Sequence, residues 1–261
     1  MDSANLNSEY VKLGLAAVLA GAKIAEQSVD RNAIAHKGNL RDIVTQADQA
    51  ISELLIEKLA PTGIPVISEE ADYFSDVLPE DMWVIDPIDG SVNFSNGLPL
   101  YAISIGLVKN LSPQLGFVCI PCMDELYFTL GPEMALRNGR PFVHEHLDRS
   151  NSLVAASFSG HPSSVEYGLF QAVNESMRGC LRTGSAALNI CWVASGKLQG
   201  AYGFQAKLWD VAGALAIAKA AGCEVITHQK HQSLLIDYCV GSKDVVRYIS
   251  KLASEKKLLN P

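Results

Sequence analysis

The amino-acid sequence predicts a layered α+β or α/β fold. Two observations carry that reading. Helix-period segments open and close the chain, and between them short apolar runs are spaced like a strand meander before helical patterns return. A third observation narrows it: the sequence has no internal repeat and no low-complexity linker. With 261 residues, 48% of them hydrophobic, the chain can build one large domain or two small ones around a proper core.

The elements follow in order. Residues 8 to 29 read as an amphipathic helix, with Val11, Leu15, Val18, Leu19 and Ile24 near helical spacing and Ser8 as cap. Residues 30 to 41 are mostly polar and read as a mobile loop. A second helix is expected from Gln46 to Leu59, with capping-box spacing in Thr45-Gln46-Ala47-Asp48. A turn at Pro61-Thr62-Gly63 leads into a short strand, Pro65-Val66-Ile67, that ends at Ser68-Glu69-Glu70. Met82 to Ile85 reads as a buried strand stopped by Asp86-Pro87. Further strands are expected at Ala102 to Val108, Leu115 to Ile120, Leu126 to Leu130 and Leu153 to Phe158. Helices follow at Ser164 to Met177 and Ala186 to Ala194, then a strand at Gly200 to Phe204 and an Ala-rich helix from Asp210 to Ala221. Strands at Cys223 to Thr227 and Leu234 to Val240 and a helix from Val245 to Leu258 close the chain.

Charge and composition exclude several functions. Lys+Arg total 21 against 28 Asp+Glu, a net charge of −7, which argues against a nucleic-acid partner. The N-terminus lacks the positive region of a signal peptide, and the apolar run Leu13 to Ala22 is about half a membrane span. Six cysteines in this length do not make a disulfide-stapled domain. A cytoplasmic protein with no membrane partner is the expectation, and the Asn-x-Ser matches at Asn93, Asn110 and Asn174 are read as chance.

The chemistry concentrates in Trp83-Val84-Ile85-Asp86-Pro87-Ile88-Asp89-Gly90-Ser91. A buried strand delivers Asp86, and Asp89 returns three residues later on the same side of the turn. Two carboxylates so close repel unless a cation lies between them. Hard oxygen donors without His or Cys favour Mg²⁺ over zinc. Gly90 permits close backbone approach, and Ser91 offers a hydroxyl and an N–H suited to phosphate or water. The same residues are turn formers, so an Asp-Pro-x-Asp-Gly turn is the competing reading. Glu69 and Glu70, Asp210 after Trp209, and Asp48 are further acidic candidates. For these the competing readings are solvated loop charges, a helix N-cap and a capping box.

Taken together, Asp48, Glu69-Glu70, Asp86-Pro87-Ile88-Asp89-Gly90-Ser91 and Trp209-Asp210 resemble the signature of the inositol monophosphatase family, over residues 8 to 258. That family belongs to the lithium-sensitive, magnesium-dependent phosphatase superfamily. Gly184-Ser185-Ala186-Ala187 resembles its Gly-Thr-Ala-Ala segment on the substrate side. The resemblance implies an αβαβα sandwich, a single phosphatase unit over 1–261 with halves 1–145 and 146–261, and a homodimer. It implies two or three Mg²⁺ held by Glu69, Asp86, Asp89, Asp210 and the Ile88 carbonyl. It further implies a water placed by Glu69 and polarised by Ser91 with Asp48, and phosphate received at Gly90 and Ser91. Gly184, Ser185, Ala186 and Asp210 are the implied substrate contacts, and Lys207 is a further candidate contact read from the sequence itself. Lysine 37, in the loop, is a candidate for covering the metals.

The sequence departs from the family in places. A Glu that grips inositol hydroxyls often sits six residues before the Trp of the Trp-Asp pair, and here that position is Gly203. The Gly-Gly after the Asp210 helix is Gly222-Cys223. The expected activity is therefore hydrolysis of a small sugar, polyol or related phosphate ester. Histidinol phosphate, fructose 1,6-bisphosphate and 3′-phosphoadenosine 5′-phosphate are alternative substrates, and a non-catalytic relative is the alternative from another class. Lys207 is read either as a contact for a second anionic group or as an exposed surface residue. Cys119-Ile120-Pro121-Cys122 is read as structural thiols rather than a redox or zinc site. His144 and His146, which flank Glu145, are read as a solvated loop rather than a metal site.

Overall fold

The structure, a computed structural model, describes residues 3–28, 33–36, 43–71, 77–158, 163–229 and 232–258. The chain opens with helix α1 (Ser3–Gln27), strands β1 (Ala33–His36) and β2 (Ile43–Thr45), and helix α2 (Gln46–Leu59). Then come β3 (Val66–Ser68), β4 (Asp81–Asp89) and a short helix α3 (Ser91–Ser95). The meander β5 (Ala102–Lys109), β6 (Ser112–Ile120), β7 (Glu125–Gly131), β8 (Met134–Arg137) and β9 (Arg140–Pro141) follows. The second half runs β10 (Leu153–Ser157), α4 (Ser164–Ser176), β11 (Gly179–Leu181), α5 (Ala186–Ala194), β12 (Gly200–Lys207), α6 (Leu208–Ala220), β13 (Glu224–Gln229), β14 (Leu235–Gly241) and α7 (Lys243–Glu255).

Two large sheets organise these elements, and β1 and β2 form a separate two-stranded one. A seven-stranded sheet has the order β3-β4-β5-β6-β7-β8-β9, antiparallel except for the β3–β4 pair. A five-stranded mixed sheet has the order β11-β10-β12-β14-β13. Helices α1 and α2 cover the outer face of the first sheet, packing Val18, Ile51, Leu55 and Leu59 on Trp83, Ile85, Ile103 and Phe117. Helices α5 and α6 lie between the sheets, and α4 and α7 cover the outer face of the second. This is the αβαβα sandwich that the resemblance implies. Among the described residues, no helix is long and apolar enough to cross a membrane.

Local chemistry explains the elements that position the site. Helix α2 starts where the sequence places it because the predicted capping box forms. Thr45 Oγ accepts the Asp48 N–H at 3.3 Å, and the Asp48 carboxylate accepts the Thr45 N–H at 2.8 Å. Helix α6 is buried on both sides and is made almost wholly of small and aliphatic residues. It presses so closely on the first sheet that a Cβ on Gly213 would lie 2.5 Å from the Ile105 carbonyl oxygen. Buried Glu125 ties β7 to the end of α5, accepting from Arg137 at 2.6 Å, from Tyr127 at 3.0 Å, from Trp192 at 3.2 Å and from Lys197.

Some expectations need correction. Residues 33–36 lie in the stretch read as a mobile loop but pair with β2 as a strand, because a tertiary partner outweighs the polar surroundings. Lysine 37 lies outside the described residues. Pro87 does not end its strand. The β4–β5 ladder breaks register between Asp86 and Asp89 and resumes at Asp89 opposite Ala102. Helix α6 begins at Leu208, so Asp210 is its third residue and not its cap. His144 is buried rather than solvated, with Nδ1 2.8 Å from the Val193 carbonyl oxygen and Nε2 3.0 Å from Ser242 Oγ. Burial lowers its proton affinity further.

Candidate active site

The site forms where β3, β4 and α6 bring carboxylates to one point. Glu69 is pinned at the end of β3 by its own N–H, which donates to the Ile85 carbonyl of β4 at 3.2 Å. Asp86 lies on β4 and is 2% exposed. Asp210 approaches from the first turn of α6, where its carboxylate also accepts the Lys207 N–H at 3.3 Å. Ligand oxygens of Glu69, Asp86 and Asp210 all lie within 4.8 Å of one another.

The electrostatics of this group are unfavourable as it stands. Burial raises the Asp86 carboxyl well above its ordinary range, and the charges of Glu69, Asp89, Asp210 and Asp48 push it further. Burial does the same to Asp210, followed by Glu69 and Asp89, with Lys207 pulling the other way. Asp86 Oδ1 is buried with no hydrogen-bond partner. An orphaned, buried carboxylate oxygen facing two other carboxylates is the environment that a cation relieves. All the donors are hard oxygens, so the residues fit a divalent cation of the Mg²⁺ or Ca²⁺ type better than zinc.

Asp89 stands apart from that triad. It is 7% exposed and caps the N-terminus of α5 from 96 to 98 residues away in sequence. Its carboxylate accepts from Ser185 Oγ at 2.6 Å, from the Ala187 N–H at 2.6 Å and from the Ala186 N–H at 3.2 Å. Burial pushes its carboxyl up to about 6 against those bonds. Ser185 Oγ in turn accepts the Leu188 N–H at 3.3 Å. The hydroxyl of Ser185 and the N–H of Ala186 are thus engaged by protein.

The turn after Asp89 is built for close approach. Gly90 has φ 101°, and a Cβ there would lie 2.9 Å from the Leu100 carbonyl oxygen. Gly184 has φ 90°, and a Cβ there would meet Asn93 Nδ2 at 2.9 Å. Asn93 Nδ2 donates to Leu100 O at 2.6 Å and to Thr183 O at 2.8 Å, stitching α3 to the Gly184 segment. In the sequence Asn93 reads only as a chance glycosylation match, and nothing local signals this role. Ser91 Oγ lies 3.1 Å from Asp48 Oδ1 and 2.9 Å from the Ile88 carbonyl oxygen. The Ile88 side chain is core, 1% exposed, which leaves its carbonyl as the polar feature on the turn.

Other candidates fall elsewhere. Lys207 is exposed, with Nζ 5.6 Å from the Trp209 ring centroid. All six cysteines are free. Burial pushes the Cys119 thiol up to about 12, and exposed Cys122 donates to the Tyr101 hydroxyl at 3.4 Å. A protonated thiol is a poor nucleophile and a poor metal ligand.

Fold and site together define a five-layered α/β protein with an oxygen-only cluster of three carboxylates beside a glycine turn. Comparison with known proteins agrees. A profile of the inositol monophosphatase family matches residues 7–255. The chain is 30% identical over 259 residues to a fructose-1,6-bisphosphatase/inositol-1-monophosphatase of Aquifex aeolicus, covering 95% of this chain and 96% of that one. It is 33% identical over 224 residues to inositol monophosphatase 1 of Solanum lycopersicum, covering 79% and 80%. The solved structure of Mycobacterium tuberculosis SuhB superposes with a TM-score of 0.79 at 25% identity, covering 99% of each chain. The chain belongs to the inositol monophosphatase family, whose members are phosphoric monoester hydrolases.

Proposed function

We propose that this protein is a Mg²⁺-dependent phosphomonoesterase acting on a small sugar, polyol or related phosphate ester. The observation that carries the reading is the Glu69–Asp86–Asp210 cluster with its unpartnered Asp86 oxygen, set beside the Gly90–Ser91 turn. Glu69, Asp86, Asp210, the Ile88 carbonyl and the remaining acceptor capacity of Asp89 would hold two or three ions. When bound, Mg²⁺ supplies charge neutralisation for the phosphate and the leaving oxygen and lowers the pKa of water.

The chain's own residues do the rest. The N–H groups of Gly90 and Ser91 receive phosphate oxygens, because the turn leaves no side chain in the way. Asp48 has one oxygen committed to Thr45, so its other oxygen acts through the Ser91 hydroxyl. That pair takes the proton of the attacking water, and Glu69 orients the water in line with the leaving group. Buried Asp89 sets α5 in place and so fixes the Gly184–Ala186 wall. The unit acts as a single catalytic body over 1–261, as a homodimer in the cytoplasm.

Phosphate release from a panel tests this. The panel holds myo-inositol 1-phosphate, histidinol phosphate, fructose 1,6-bisphosphate, 3′-phosphoadenosine 5′-phosphate and glycerol 2-phosphate, with and without Mg²⁺. Turnover of at least one ester that disappears on chelation is the expected result. Mg²⁺ binding without any turnover would favour the non-catalytic relative instead.

A further inference from the structure

Ser104 lies on β5 directly opposite Asp86 on β4 in the antiparallel ladder. Residues opposed in this way point to the same face of a sheet, with Cβ atoms about 4.5–5.5 Å apart. Here that face is the inner one. Met82 and Val84 share the parity of Asp86, Ala102 and Val108 share that of Ser104, and all four pack with α5 and α6. The alternate residues Trp83, Ile85, Ile103 and Ile105 pack toward α1 and α2 instead. Helix α6 closes on the same spot from the other side, where a Cβ on Gly213 would lie 3.1 Å from Ser104 Oγ. Gly213 comes three residues after Asp210, on the same side of α6. Ser104 is therefore in contact with the helix that carries Asp210 and faces across the ladder to the strand that carries Asp86.

Ser104 is fully buried, and its hydroxyl makes no hydrogen bond among the described residues. Asp86 Oδ1 is in the same condition. A buried hydroxyl without a partner destabilises a fold, so alanine would serve this core better unless the hydroxyl finds a partner in another state. The surroundings leave one. Across β6 Ser104 meets Val118, and Ala102 and Gly106 flank it on the same face of its own strand. Asp89, opposite Ala102, already accepts from Ser185, Ala186 and Ala187. Asp86 remains, and from opposed positions side-chain rotation alone brings a hydroxyl to a carboxylate. Carboxylates that bind a metal are themselves held by hydrogen bonds from neighbouring groups, which fix their direction. We propose that Ser104 is the positioning residue for Asp86, donating its hydroxyl proton to the Asp86 carboxylate when a divalent cation is bound and so raising the cation affinity of the site. The hydroxyl is neutral, so it orients Asp86 without bringing a positive charge that would compete with the cation. This rests on the metal-dependent phosphatase reading and deepens it.

Mg²⁺ binding to the full chain tests this without any substrate. Titration calorimetry gives the dissociation constant, and thermal melts in chelator give the metal-free stability, for wild type, Ser104→Ala and Ser104→Cys. Ser104→Ala should raise the Mg²⁺ dissociation constant about ten-fold, the usual cost of losing a group that orients a metal ligand. Its melting temperature in chelator should equal or exceed that of wild type, because the lost hydroxyl had no partner there. Ser104→Cys nearly keeps the volume but is a weak donor, so it should weaken Mg²⁺ binding as well. It also decides the question if the alanine variant does not fold. A lower melting temperature in chelator with an unchanged dissociation constant would mark Ser104 as a packing residue and overturn the proposal. Wild type and both variants binding Mg²⁺ equally would overturn the Ser104 role and leave the phosphatase reading standing. A wild type that binds no Mg²⁺ would overturn the cation site with it.

Discussion

Ser91 Oγ lies 3.1 Å from Asp48 Oδ1, joining the first turn of α3 to the first turn of α2 across 43 residues of sequence. The same Asp48 uses its other oxygen to cap α2 through Thr45. One carboxylate thus fixes a helix start with one oxygen and holds the Ser91 hydroxyl with the other.

That division makes a prediction about Ser91. Ser91→Ala should lower kcat on the best ester by about 10²-fold or more, as expected for loss of a proton-transfer partner. Ser91→Thr keeps the hydroxyl and should stay within a few-fold of wild type. Asp48→Asn should lower kcat and also the melting temperature, since it loses a cap worth about 0.5–2 kcal/mol. Equal kcat for Ser91→Ala and wild type at saturating substrate and Mg²⁺ would remove Ser91 from the reaction.

Asp86 should show opposite effects on activity and on metal-free stability. Asp86→Asn removes a buried charge that Glu69, Asp89, Asp210 and Asp48 all disfavour. In chelator its melting temperature should rise by roughly 2–4 °C if about 1 kcal/mol of repulsion is relieved. Addition of Mg²⁺ should stabilise wild type but not the variant, because stabilisation by a ligand follows its binding to the folded state. Thermal melts in chelator and in Mg²⁺ decide this, and a variant less stable than wild type in chelator would contradict the electrostatic account.

The packing of α6 carries Asp210 to the site, so Gly213 should be intolerant of substitution. A Cβ there would lie 2.5 Å from the Ile105 carbonyl oxygen and 3.1 Å from Ser104 Oγ. Gly213→Ala should cost about 1–3 kcal/mol in denaturant unfolding, the usual scale of overpacking. It should also lower activity, because α6 must move away from β5 and take Asp210 with it. Wild-type stability and activity in this variant would mean that the two layers are not in that contact.

The acid side of the stability profile should carry a mark from His144. Its folded proton affinity lies below the ordinary value of 6.5, first through burial and then through His146, with the Val193 carbonyl and Glu145 opposing. The unfolded chain therefore binds this proton first. The contribution is fully present above about pH 6.5 and is lost as pH falls through that value toward the folded one. His144→Gln should flatten the stability profile in that window. A profile with the same slope in both proteins would assign the loss to other groups.

Much of this fold is legible in the sequence, and the exceptions have physical reasons. Helices α2 and α5 have the boundaries that the sequence predicts because each is announced by a capping residue, Thr45 and Ser185, followed by apolar residues at helical spacing in α2 and a nearly continuous apolar run in α5. Strands β8, β9 and β11 and helix α3 are too short to show a period, and they form because a neighbour supplies their hydrogen bonds. In the site, Asp86 and Asp89 are visible as a local string. Their different surroundings are not, because the partner of Asp89 is a helix end far along the chain. Nor is Asn93 legible, or the pairing of Tyr238 with Ser157, since both depend on strands and turns meeting in space.

The most direct measurement is phosphate release from the ester panel by wild type and Asp86→Asn, in Mg²⁺ and in chelator. The account predicts turnover of at least one small phosphate ester by wild type in Mg²⁺ and background rates in the other three arms. Equal turnover in chelator, or full activity in Asp86→Asn, would contradict a catalytic centre built on Glu69, Asp86 and Asp210.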